Sequence, residues 1–316
     1  MESVQGTAGL KRELRRPVLT IGNFDGLHVG HRAIMRTVVA RARDLGGEAV
    51  VYTFEPHPRK VLRPDRPPQL LTTLDQKIEL LQEMGIDIAI FEPFDREFAA
   101  MEPSTFVSEY IHRRIRPMEV YVGYDFRFGR DREGSMRLLT EMGPRLGFSV
   151  TIVPEVTIDG RDVNSTRIRE LLSEGDVRET QRLLGRPFCT RGIIVEGQRR
   201  GRTLGFPTAN ISPQNEVLPG AGVYAGWARF VDDGDPARGV EIPSVMNVGR
   251  RPTFNDDMSF VAEAHLIDFE GDVYGRRIDL TFERRLRAER KFAGPEELKV
   301  QIAKDVAEAR RWLRFQ

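Results

Sequence analysis

The hydrophobic pattern of this chain changes character at Gly185-Arg186-Pro187, a break that separates two kinds of fold. Before it, short apolar runs alternate with segments of helical spacing. Residues 18–21, 49–54, 86–91, 120–122 and 148–153 read as strands. Residues 28–45, 73–84 (with Leu74, Ile78 and Leu81 as its apolar positions), 104–115 and 135–146 read as helices. Shorter helices follow at 165–173 and 176–184, the latter opened by a D-x-x-E capping box at Asp176 and Glu179. Such alternation implies a parallel sheet, because parallel neighbours need crossovers and the crossover helices cover both faces. After the break the runs are mostly strands, at 192–195, 223–230, 244–248, 260–269 and 277–282, with one amphipathic helix at 295–313. That pattern predicts a small antiparallel barrel or sandwich. The expected organisation is a Rossmann-like α/β domain over 1–186 and a small antiparallel β-barrel with a long C-terminal helix over 187–316.

Charge and cysteine usage exclude several function classes. Lys and Arg number 48 against 47 Asp and Glu, so no global basic footprint for nucleic acid or an acidic membrane exists. Arginines cluster locally, at Arg199-Arg200-Arg202 and Arg284-Arg285-Arg287, which reads as a solvated face or as a phosphate site. The single cysteine, Cys189, excludes a disulfide within the chain and a cysteine-based zinc site, and fits a reducing cytoplasm. No run reaches the roughly 18 apolar residues of a membrane span, and the polar first seventeen residues carry no signal core. A cytoplasmic protein acting on small molecules, without nucleic-acid or membrane partners, is expected; oligomeric state is not readable.

Two contiguous motifs carry chemistry. In the first, the strand at 18–21 runs into Gly22-Asn23-Phe24-Asp25-Gly26 and then His28 and His31. The glycines let backbone amides approach a ligand, and the two histidines share one face at a helix start. The helix N-terminus adds partial positive charge, so the whole suits a triphosphate at the carboxyl end of a parallel strand. A zinc pair with His57 as third ligand is a rival, weakened because no carboxylate or cysteine joins at zinc-like spacing. Two unrelated surface histidines are the plain alternative. In the second motif, Gly201-Arg202-Thr203-Leu204-Gly205-Phe206-Pro207-Thr208-Ala209-Asn210 follows the first strand of the second half. It is neither a Walker A loop nor a protein-kinase glycine loop. Thr208 and Asn210 offer hard neutral oxygens suited to Mg²⁺ beside phosphate.

These residues carry a family resemblance. G-x-F-D-G-x-H-x-G-H, with the later Asn164-Ser165-Thr166-Arg167-Ile168-Arg169, resembles the signature of nucleotidyltransferases that move an adenylyl group onto a phosphate. The family's first serine is Asn164 here. Phe54-Glu55-Pro56-His57-Pro58 and Gly123-Tyr124-Asp125-Phe126-Arg127-Phe128-Gly129 narrow the likeness to the FMN adenylyltransferase module of prokaryotic bifunctional riboflavin kinase/FAD synthetases. The second motif, with Asn247-Val248-Gly249-Arg250, Glu263-Ala264-His265 and Leu286-Arg287-Ala288, resembles their riboflavin kinase module. Glu196 stands where that family often has histidine.

The resemblance implies two ATP-dependent steps: phosphorylation of riboflavin to FMN in the second half, then adenylylation of FMN to FAD in the first. It implies ATP contacts at Gly22, Asn23, Phe24, Asp25, His28, His31, Ser165, Thr166 and Arg169, and FMN contacts at His57 and Asp125. For the kinase it implies ATP contacts at Gly201, Arg202, Thr208 and Asn210, Mg²⁺ on Thr208 and Asn210, and a flavin contact at Arg287; Phe292, in the same segment, is a flavin contact on the isoalloxazine ring or a core residue. FMN phosphate is already anionic and needs no general base, so electrostatic roles are expected for both histidines. The ribityl hydroxyl must lose a proton, and Glu263 matches the family's catalytic glutamate. Alternation puts Glu263 and His265 on one strand face. Two rivals are an adenylyltransferase for another phosphate, with the barrel as binding module, and a flavin-binding regulator without turnover.

Overall fold

The computed structural model describes residues 1–196, 205–232, 234–252 and 258–313. The chain forms two units, Met1–Gln69 with Leu74–Asn164, and Leu70–Thr73 with Ser165–Gln316.

The first unit is wound on a six-stranded sheet of β1 (Glu2–Gln5), β2 (Val18–Ile21), β3 (Ala49–Glu55), β4 (Ile88–Pro93), β5 (Glu119–Gly123) and β6 (Ser149–Val153), in the order β1-β4-β3-β2-β5-β6. All its pairings are parallel. Every residue of β2 is buried, as both faces of a parallel sheet are covered. On one face Leu19 and Ile21 pack beneath α4 (Phe106–Ile115) and α5 (Met136–Arg145). On the other, Val18 packs with residues of α1 (Val29–Asp44) and α3 (Leu74–Glu83); the short α2 (Pro58–Leu62) follows β3. The chain winds one way from β2 to β3 and β4, and the other way to β5 and β6. The carboxyl ends of β2 and β5 therefore meet at a topological switch point, where such sheets bind ligands.

Three details depart from the sequence expectation. The polar N-terminus forms β1 at the sheet edge, beside β4. Only Val4 of its four residues is buried, so backbone pairing, not apolar pattern, places it. Beyond it the Thr7 amide donates to the buried Glu92 carboxylate at 2.8 Å. The helix expected at 104–115 is wound wider than an α-helix: the Arg116 amide donates to the Ile111 carbonyl, five residues back. In α3, Leu74 is exposed while Gln76, Lys77 and Leu81 are buried, so the helix is turned relative to its apolar stripe.

The second unit is a closed antiparallel barrel of β9 (Phe188–Val195), β10 (Ala209–Pro213), β11 (Gly222–Phe230), β12 (Ile242–Pro252), β13 (Met258–Leu266) and β14 (Arg277–Arg287). Tyr224 and Phe282 meet edge to face at 5.4 Å. The strand β10, absent from the sequence reading, begins at the end of the second motif. The helix α8 (Pro295–Leu313) sets Val306 and Ala309 against Val223, Ala225 and Val245. The hairpin β7 (Thr157–Ile158) and β8 (Arg161–Asp162) belongs to the first unit.

The pattern break puts the boundary near 186, whereas the spatial units part at Asn164–Ser165. The helices α6 (Ser165–Glu174) and α7 (Val177–Leu184) pack with the barrel. Arg285 of β14 donates to the carbonyls of Glu174 at 3.0 Å and Ala221 at 2.7 Å, and the Gly220 amide donates to Leu172 at 2.7 Å. Asn215 similarly holds the excursion Leu70–Thr73, donating to the Leu71 carbonyl at 3.3 Å.

Across β9 and β14, Arg191 and Asp279 form a bidentate pair at 2.7 and 2.9 Å, each 3% exposed. Asp279 also meets the half-exposed Arg229 at 3.3 Å. Removing one member of a buried pair leaves the other uncompensated. Asp279→Ala is expected to destabilise this unit by about 3–5 kcal/mol in chemical denaturation, and Arg229→Ala by about 1 kcal/mol or less. Equal losses would show that burial of the pair is not what matters.

Candidate active sites

In the first unit the motif after β2 is pinned before α1 begins. The Gly22 amide donates to the Tyr52 carbonyl of β3 at 3.1 Å. Phe24 and Leu27 take left-handed backbone angles, φ +49° and +40°, so the turn is strained where the motif demands it. His28 caps α1: its Nδ1 accepts from the His31 amide at 3.4 Å. The two imidazoles stack with centroids 3.6 Å apart and planes 22° from parallel. The edge of Phe24 meets His31 at 5.3 Å. Gly30 leaves the His28 ring its room: a Cβ there would lie 3.2 Å from Cε1 and Nδ1 of His28, so the ring would have to shift by a few tenths of an ångström.

The electrostatics follow from burial. Desolvation first, then the nearby charges of His28 and Lys77, push His31 well below the ordinary imidazole range. His31 is therefore neutral at neutral pH. Its Nδ1 is buried with no hydrogen-bond partner among the described residues. A zinc pair is not supported: no group of three His, Cys, Asp or Glu among the described residues could hold a metal.

The neighbouring carboxyl ends bring other expected residues to the same sheet edge. After β3, His57 is buried and caps α2, accepting from the Arg59 amide at 3.1 Å. It follows a cis Glu55–Pro56 bond. After β5, Asp125 is exposed, and the Phe126 amide donates back to Gly123 at 3.1 Å. Sequence reasoning missed an aromatic wall here. Phe54, Phe94, Phe98, Phe106, Phe126 and Phe128 interlock at 5.4–6.0 Å between centroids. Phe94, Phe98 and Phe126 are only half-buried. Their wide spacing in sequence leaves no local signal. Ser165, Thr166 and Arg169 lie in the first turns of α6, in the second unit.

In the second unit, β-register assembles a row. Asn210 of β10 stands opposite Glu263 of β13, which stands opposite Asn247 of β12. Directly opposed residues share a face, so the three half-buried side chains line one face of the barrel. Thr208 precedes Asn210 by two and is half-buried. His265 Nδ1 lies 2.8 Å from the Pro207 carbonyl, and its ring meets Phe206 at 5.5 Å. Asn247 was not expected as a site residue; only barrel closure reveals its place. Gly201 and Arg202 lie outside the described residues.

The expected flavin contacts sit beside α8. Arg287 reaches Asp305 with Nε at 3.1 Å and a terminal nitrogen at 2.8 Å, and Asp305 also accepts from Gln301. The guanidiniums of Arg290 and Arg287 lie 4.7 and 5.7 Å from the half-buried Phe292 ring. Arg287 thus anchors the C-terminal helix.

A family model described as FAD synthetase matches residues 10–167, and one described as riboflavin kinase matches 184–313. The bifunctional riboflavin kinase/FMN adenylyltransferase of Escherichia coli K12 is 39% identical over 293 residues, 93% of this chain and 91% of that protein. That of Bacillus subtilis is 35% identical over 308 residues, 96% and 94% of the two chains. A crystal structure titled as a macrolide-efflux protein from Streptococcus pneumoniae superposes with TM-score 0.89 at 27% identity, covering 99% of this chain and 100% of that one. Among the described residues here, no helix is long and apolar enough to cross a membrane. With both family models matched in order and the relatives aligned over nearly their whole length, the chain belongs to the bifunctional riboflavin kinase/FMN adenylyltransferase family.

Proposed function

We propose that the two steps run on separate sites, with residues 187–316 phosphorylating riboflavin and residues 1–186 adenylylating the FMN so formed. The observation that carries this is the contrast between the two sites: paired imidazoles at a helix N-terminus in one, a carboxylate set between two asparagines in the other.

In the adenylyl site, ATP phosphates bind at Gly22, Asn23, Phe24, Asp25 and the α1 N-terminus, with His28 and His31. Ser165, Thr166 and Arg169 are further ATP contacts. The FMN phosphate attacks the α-phosphorus and pyrophosphate departs, so the protein aligns reactants and stabilises charge on the leaving group. Neutral His31 suits a hydrogen-bonding role rather than proton transfer. The isoalloxazine ring packs on the half-buried phenylalanines, with His57 and Asp125 at the same edge.

In the kinase site, Glu263 takes the proton of the ribityl 5′-hydroxyl as it attacks the γ-phosphorus of ATP. Gly201 and Arg202 complete the ATP loop. Arg287 and Phe292 are the flavin contacts, Arg287 through its hold on α8. Thr208 and Asn210 would hold Mg²⁺ through their side-chain oxygens, together with phosphate oxygens. The bound ion would neutralise phosphate charge during transfer. A reducing, cytoplasmic setting suits the lone Cys189, whose thiol burial pushes up and so keeps protonated.

His31→Ala is expected to lower FAD formation from FMN by about 100-fold or more and to leave FMN formation from riboflavin unchanged. Glu263→Gln is expected to do the reverse, lowering FMN formation by about 100-fold or more. Chromatography of the flavins with time measures both. Loss of both reactions in either folded variant would contradict independent sites. Gly30→Ala crowds the His28 ring, yet alanine is the better helix former. It should slow adenylylation about tenfold without lowering the thermal midpoint; a full-rate enzyme would show that the His28 ring position is unimportant.

A further inference from the structure

Lys77 occupies a place that the apolar pattern of α3 does not explain. It is 5% exposed, on a helix where Leu74 faces water. Its Nζ donates to the Asn23 carbonyl at 3.0 Å, inside the motif that joins β2 to α1. That carbonyl also accepts from Thr53 Oγ1 of β3 at 3.3 Å. Burial pushes the ammonium below the ordinary lysine range, and the charges of Asp25, which is 3% exposed, and Glu55, which is half-buried, act against that and favour the protonated form. Its own positive charge reaches His31, as does that of His28.

Burying an ammonium costs several kcal/mol. A neutral side-chain amide would satisfy one carbonyl for less. Thr53 already donates to that carbonyl, so the hydrogen bond alone does not account for a lysine. What lysine adds is a positive charge held inside the protein, next to a turn built to receive a triphosphate. Buried charge acts over longer range than the same charge in water, because solvent does not screen it.

We propose that Lys77 is a positioning residue for adenylyl transfer: it fixes the Asn23 carbonyl of the phosphate-binding turn and supplies a buried positive charge to the His28–His31 site. It acts through the turn and the imidazoles and does not touch the nucleotide. The proposal rests on the assignment of adenylylation to that site.

The test uses the full-length chain; circular dichroism and the thermal midpoint report folding of the first unit in each variant, and the riboflavin kinase reaction reports that the second is intact. Lys77→Met keeps the shape and removes the charge; Lys77→Gln keeps a donor for Asn23 and removes the charge; Lys77→Arg keeps both. Lys77→Met and Lys77→Gln should each lower kcat for FAD formation from FMN by about 30-fold or more, with FMN formation from riboflavin within about twofold of the unaltered protein. Lys77→Arg should retain adenylylation within about fivefold. The His31 imidazole, followed by NMR, should titrate at higher pH in Lys77→Gln and Lys77→Met and stay at the unaltered position in Lys77→Arg, which keeps the charge; an equal rise in all three would report hydration of the site instead. Full adenylylation in Lys77→Gln would overturn the role of the charge, and if Lys77→Met does not fold, Lys77→Gln decides alone. His31→Ala runs beside these. If it abolishes FAD formation while Lys77→Gln does not, the site stands and the Lys77 proposal fails. If His31→Ala itself makes FAD normally, the site assignment fails and the proposal with it.

Discussion

The first unit depends on β2 being paired on both sides, with β3 and with β5. A strand so placed is buried on both faces, and the sheet grows from it in opposite directions. The backbone leaving its carboxyl end has neighbours on either side and cannot relax sideways. The strained turn at Phe24 and Leu27 is sustained by that confinement, with Gly22 tied to Tyr52 and Asn23 tied to Lys77 and Thr53. The cap at His28 and the stack on His31 follow from where the turn releases the chain. The barrel uses the same logic in antiparallel form. Closure fixes register, and register sets Asn210, Glu263 and Asn247 abreast.

On the proposed assignment, the two sites differ because their nucleophiles differ. A phosphate monoester arrives charged, and a protein that receives it beside a triphosphate has repulsion to overcome. In the proposed adenylyl site, neutral imidazole, helix N-terminus and buried ammonium would meet that need. An alcohol arrives neutral and must be deprotonated as it attacks, and there the chain places a carboxylate amid neutral oxygens. One protein thus separates the two electrostatic demands into two architectures.

Much of this was legible from the residues. The strand at 18–21 reads as a continuous apolar run because both its faces are covered, and the histidine–glycine motif is contiguous, so its helix start and anion site could be read locally. Thr208-Ala209-Asn210 close an equally contiguous motif, whereas Glu263 carries no local signal and was singled out by the family resemblance alone. What could not be read depends on distant partners. Val4 is the lone buried residue of β1, which backbone pairing holds. A lysine within a helical pattern reads as solvated, and only the position of Asn23 makes Lys77 an inward residue. The faces of α6 and α7 announce that something covers them but not that it is the barrel. Asn247 enters its row only when β12 and β13 close, and the phenylalanine wall is gathered from β3, the segment after β4, α4 and the segment after β5.

The most direct test of two sequential ATP-using sites on one chain is the origin of the two phosphorus atoms in the product. Riboflavin is incubated with the protein and ATP labelled at either the α- or the γ-phosphorus, and the FAD is isolated and cleaved to FMN and AMP. The account predicts that γ-label appears only in the FMN portion and α-label only in the AMP portion, each at one phosphorus per FAD. Absence of γ-label from the FMN portion, or of α-label from the AMP portion, would contradict it.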